Sequence, residues 1–111
     1  MEKKEKLIKA EKERLIGIFE DIEQNKLDFV KTLIDRLAWL NVNIKEVEKK
    51  LDEEGAVTAY NNGGGQSGVR ESPYSKVRMQ YTKDITTITK QLIDLVPAQT
   101  KKSKLEMLMD E

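Results

Sequence analysis

Seven apolar residues, Val30, Leu33, Leu37, Leu40, Ile44, Val47 and Leu51, recur at alternating intervals of three and four. Such spacing is the a/d seam of three heptads and predicts one long amphipathic helix. Gly55 follows Asp-Glu-Glu and is placed as the left-handed residue that ends it. A second seam runs through Tyr74, Val77, Tyr81, Ile85, Ile88, Leu92 and Leu95. Ser72 and Pro73 open that helix as N-cap and first helical residue, and Pro97 stops it. The first segment, Glu2 to about Gln24, carries Leu7, Ile8, Leu15, Ile18, Phe19 and Ile22 near helical spacing, with lysine and glutamate around them. Gly17 weakens that helix slightly. Asn25 can cap a new helix, with Asp28 in the reciprocal position. No proline forces a break there, so one continuous helix is the alternative.

Two seams joined by one connection predict an antiparallel hairpin. The expected fold is all-α: a long, coiled-coil-like helical hairpin plus an N-terminal helix, in an oligomer. The chain divides into a charged amphipathic helix over 1–24, the hairpin over 25–97 with a loop at 55–72, and a tail over 98–111. In the tail a lysine cluster precedes Leu105, Met107, Leu108 and Met109, which form one or two helical turns or stay disordered. Phe29, Ile34, Trp39, Val42 and Ile93 lie off the seams. They need a further surface, from a third helix or a partner subunit.

Composition sharpens this. Charged residues are 36% and aromatics 5% of 111 residues. The core is therefore modest, and self-association is a natural source of stability. Lysine plus arginine equals aspartate plus glutamate at 20 each. No global charge draws the chain to nucleic acid or membrane. No apolar run is long enough to span a bilayer. The N-terminus has basic residues without the apolar stretch of a signal peptide. Cysteine is absent, which points to an intracellular protein. Histidine is absent as well, removing the commonest general base and the usual zinc ligands. No enzyme activity, cofactor or metal site is expected. Glu53-Glu54 and Asp110-Glu111 read as solvated charge.

The stretch NNGGGQSGVRESP, residues 61–73, holds four of the six glycines. A glycine run before a helix N-terminus can cradle an anion, with Arg70 as an added donor. The spacing fits neither a Walker loop nor a dinucleotide fingerprint. The loop therefore reads as a connection, with Ala56 to Tyr60 as a short extended piece. It is about twice the usual length for a helical hairpin, which suggests that it serves an interface. Two basic clusters can contact phosphates: Arg70, Lys76 and Arg78, and then Lys101, Lys102 and Lys104. The alternative for each is ordinary surface charge. Trp39 reads as a core or subunit contact, and Tyr74 and Tyr81 as packing residues. Tyr60 is a further residue able to stack.

The order of these features resembles one family of short phage small terminase subunits. The resemblance covers about residues 27–97. It rests on Glu53-Glu54-Gly55, the extended stretch from Ala56 to Tyr60, the Asn/Gly-rich loop from Asn61 to Gly68, the Ser72-Pro73 helix start and the Leu95-Val96-Pro97 stop. It departs after the stop, where lysines replace an arginine-containing stretch. It departs also in the segment 1–25, too short for a helix-turn-helix. The resemblance implies a non-catalytic ring in the cytoplasm of a bacterial host. Such a ring recognises double-stranded phage DNA and hands it to a large terminase subunit. On that reading Arg70, Lys76, Arg78, Lys101, Lys102 and Lys104 are candidate DNA contacts. Phe19, Ile22, Phe29 and Trp39 are candidate subunit contacts. A small helical adaptor that binds and inhibits a host protein is the other class of function the amphipathic faces allow.

Overall fold

A computed structural model of the chain describes the backbone of residues 2–55, 57–63 and 66–109, and the side chains of 3–55 and 72–109. The body is four helices packed on one another. Helix α1 (Glu2–Ile18) is followed by a 3-10 turn (Gln24–Lys26) and by α2 (Leu27–Glu54), the longest element. Helix α3 (Pro73–Asp94) returns along α2, and a second 3-10 turn (Ala98–Thr100) leads into α4 (Lys101–Met109).

The chain breaks between α1 and α2, and earlier than Gln24. Phe19 N–H donates to the Ile16 carbonyl, and Ile22 N–H to the Phe19 carbonyl, each at 3.1 Å. These tight turns reverse the chain and put Phe19 into the core at 1% exposure. Asn25 lies inside the 3-10 turn and caps nothing; α2 starts from Lys26 without a side-chain cap. Helix α1 then runs antiparallel to α2. Lys4 pairs with Glu46 at 3.0 Å, Asn41 donates to Glu11 at 2.7 Å, and Lys12 pairs with Asp35 at 3.5 Å.

Helix α2 is therefore buried along two stripes. Val30, Leu37, Leu40 and Val47 of its seam are buried, but so are Ile34 and Ala38, which lie off it. Ile34, Ala38 and Asn41 share one row of the helix surface, and Asn41 bonds to α1. A third helix of the same chain thus takes up Ile34. Helix α3 buries only Ile88 and Leu92, with Tyr81, Ile85 and Ile93 packed at the margin. Its seam fades toward its start, where Val77 is exposed. The tail is folded: α4 packs against α1 and α3, and Leu108 joins the core.

Helix α2 ends at Gly55, with φ 83° and ψ 168°. The positive φ agrees with the expected role, but ψ is extended and not that of a left-handed helical turn. This region is open almost solely to glycine. Gly55 N–H donates to the Leu51 carbonyl at 2.7 Å, and the chain leaves α2 extended.

The helical body agrees with the expected fold class; the connection holds more order than the expected loop. Strands β1 (Val57–Gly63) and β2 (Gln66–Glu71) form an antiparallel two-stranded ribbon. Val57 pairs with Glu71, Thr58 with Arg70, Ala59 with Val69, Tyr60 with Gly68 and Asn61 with Ser67, before an irregular step to Gly63 opposite Gln66. Strand-favouring Val57, Thr58, Tyr60 and Val69 flank a glycine-rich turn, so local pairing satisfies a backbone that an open loop would leave to water. Gly64 and Gly65 at its tip lie outside the described residues. Helix α2 spans about 42 Å and the ribbon about 20 Å. The molecule measures 63 × 31 × 21 Å.

Candidate functional site

Ser72 links the ribbon to the first basic cluster. It is 1% exposed, and its hydroxyl accepts the Tyr74 N–H at 3.2 Å, which fixes the start of α3. Pro73 takes the first helical position, as the sequence predicts. Lys76 and Arg78 stand exposed on the next turn. Arg78 lies 3.5 Å from Glu48 of α2. The neighbouring end of α2 carries exposed Asp52, Glu53 and Glu54. The cluster therefore faces mixed charge, and a phosphate there meets carboxylates as well as cations. Arg70 lies on β2; its side chain, like that of Tyr60, is outside the described residues, as are Asp110 and Glu111.

The second cluster lies at the far end of α3, about 30 Å from the first. Lys101 pairs loosely with Asp94 at 3.9 Å, and Lys102 is exposed. Lys104 is different. Its ammonium donates to the Ile18 carbonyl and, at 3.1 Å, to the Asp21 carboxylate, with 13% of its side chain exposed. The hydrogen bond and charge of Lys104 hold the Asp21 carboxyl below its usual range. A lysine on the last carbonyl of a helix closes its C-terminus and suits the helix dipole. Lys104 is thus engaged within its own chain. The described candidate cations form two separated groups and not one surface.

A polar seam that the sequence reading missed joins three helices. Arg14 grips both oxygens of Glu11, at 2.7 and 3.0 Å, and donates to the Met107 carbonyl of α4 at 3.1 Å. Asn41 of α2 donates to the same Glu11 carboxylate at 2.7 Å. Burial pushes the Glu11 carboxyl upward, but hydrogen bonds from Arg14 and Asn41 and the charges of Arg14 and Lys45 together hold it below its usual value. The one signal in the sequence is Glu11 three residues before Arg14, a spacing that brings helical side chains together.

The four candidate subunit contacts separate by exposure. Phe19 is a core residue at 1%, and Ile22 packs against the core. Because α1 folds back on its own chain, these two pack inside the molecule. Phe29 and Trp39 remain outward, at 53% and 42% exposed. Trp39 meets Tyr81 of α3 edge to face, with centroids 5.6 Å apart. One side of its ring borders a shallow groove lined by Thr32, Leu33, Asp35, Arg36 and Ile88. Buried Asn43 is satisfied by the Trp39 carbonyl at 2.8 Å.

Among the described residues, no three carboxylates converge as a metal site, and no buried side-chain nitrogen or oxygen lacks a partner. Comparison with protein-family models, with curated proteins and with solved structures finds no match to this chain in any of the three.

Proposed function

We propose that this chain is a non-catalytic component of phage genome packaging, a small terminase-type subunit. It forms a homo-oligomeric ring in the bacterial cytoplasm and presents double-stranded DNA to a large terminase subunit. The order of elements carries this reading: a long helix closed at Gly55, an extended Asn/Gly-rich ribbon, a Ser72-Pro73 helix start and a stop at Pro97. Outward Phe29 and Trp39 support self-association, since large apolar side chains beside a groove favour cover by another surface. Arg70, Lys76 and Arg78 are the DNA contacts on this reading, with Lys101 and Lys102 repeated around the ring as a second set.

A second reading is a helical adaptor that binds and inhibits a host protein. It is favoured by the Glu48 partner of Arg78 and the acidic end of α2, which weaken a phosphate-binding surface. One pair of measurements separates the two. On the terminase reading, light scattering at two protein concentrations should give a stable closed assembly of roughly eight or more subunits. Duplex binding should then weaken with added salt, and alanine at Arg70, Lys76 and Arg78 together should flatten that dependence by up to about three charges' worth. A monomer or dimer that ignores DNA overturns the terminase reading in favour of the adaptor.

A further inference from the structure

We infer that α4 is a releasable strap, held across α1 and α3 by two cationic clamps and one leucine, and able to open while the α1–α2–α3 body stays folded. Three observations meet in this element. The first is its length. Helix α4 has nine residues, fewer than a helix needs to persist alone in water, so it is helical only while docked. The second is its thin apolar contact. Leu108 is its one buried residue, whereas Leu105, Met107 and Met109 are exposed, Met109 at 73%.

The third is how its ends are tied. At the start, Lys104 reaches back to the end of α1, to the Ile18 carbonyl and the Asp21 carboxylate. At the other end, Arg14 of α1 reaches forward to the Met107 carbonyl. Each clamp pairs a charged donor with the C-terminal carbonyl region of the other helix, so the two are reciprocal. Both run between α1 and α4, apart from the main packing of α2 against α1 and α3. That packing therefore survives if α4 leaves. Opening uncovers the part of the core that Leu108 helps to close. Because the contacts lie inside one chain, the strap is independent of the terminase reading.

The test is amide hydrogen exchange on the full chain, comparing the wild type with Lys104→Met and, as a surface control, Lys102→Met. Loss of a charge-assisted clamp should lower protection of the α4 amides about ten- to a hundredfold. Protection in the middle of α2, around Leu37 to Val47, should stay within a factor of about two, as for an independent unit. Raising salt from low to molar should move wild-type α4 in the same direction, since the Lys104–Asp21 pair is ionic. Unchanged α4 protection in Lys104→Met overturns the clamp. Parallel loss in α4 and α2 overturns the strap, because the helix would then open only with the whole body. A Lys102→Met effect equal to that of Lys104→Met also overturns the clamp, because total charge would then hold α4.

Discussion

Glu11 sits where α1, α2 and, through Arg14, α4 meet. Its carboxyl is held below its ordinary value, so it binds protons less readily when folded than when unfolded. The contribution to stability is complete above the unfolded value near 4.5, and it is lost as pH falls through the lower folded value. Thermal midpoints measured from pH 6 to pH 3 should fall in the wild type below about pH 4.5, and Glu11→Gln should flatten that fall. Equal slopes in the two proteins would remove Glu11 from the acid response. Half of this arrangement was readable: Glu11 and Arg14 are three apart on a helix. The other half was not, because Asn41 lies 30 positions away and its approach depends on how α1 folds back. Lys104 is the sharper case. In sequence it is one of three tail lysines, and its partners lie 83 and 86 positions distant.

The heptad seams were legible because burial on one face writes a period into the chain. Ser72-Pro73 was legible because a cap acts within two residues. Ile34 and Ala38 were harder to place, since their burial comes from a second neighbour and not from the seam. The ribbon was only hinted at by Ala56 to Tyr60, because its pairing joins residues across a glycine turn that reads equally well as an open loop. Two glycines separate backbone need from mere presence. Gly55 combines φ 83° with an extended ψ. A side chain there is strained, so Gly55→Ala should destabilise by about 1–3 kcal/mol. At Gly17 a Cβ would meet nothing within 4 Å. Gly17→Ala should therefore be neutral or stabilising by up to about 1 kcal/mol. Urea midpoints of the two variants should separate, with Gly55→Ala below the wild type and Gly17→Ala at or above it. A Gly55→Ala protein as stable as the wild type would mean that the end of α2 adopts another conformation.

The outward face of α2 decides what the folded body meets. No described helix is long and apolar enough to cross a membrane. Phe29 and Trp39 are the two candidate contacts that folding leaves on the surface, ten positions apart on one helix. If they hold subunits together, Phe29→Ser with Trp39→Ser should shift the mass toward the single chain while leaving helical content unchanged. Alanine scanning of interfaces commonly finds a few such aromatic anchors carrying most of the binding energy. An assembly of unaltered mass would place the interface elsewhere, and circular dichroism on the same sample would report whether the fold survived. Trp39 also touches Tyr81, so a loss of stability on the order of 1 kcal/mol accompanies its removal even in a monomer.

The elongated outline of the molecule has a consequence for how it moves through water. The radius of gyration is 18.2 Å. A compact chain of the same length has a radius of about 13 Å. By the same scaling, the larger radius belongs to a compact protein of about 260 residues, more than twice this one. A single copy should therefore leave a sizing column somewhat ahead of a globular chain of its mass and sediment more slowly than one. Retention volume alone would then overstate the mass of one chain, whereas scattered intensity, which follows mass and not outline, would count the copies correctly.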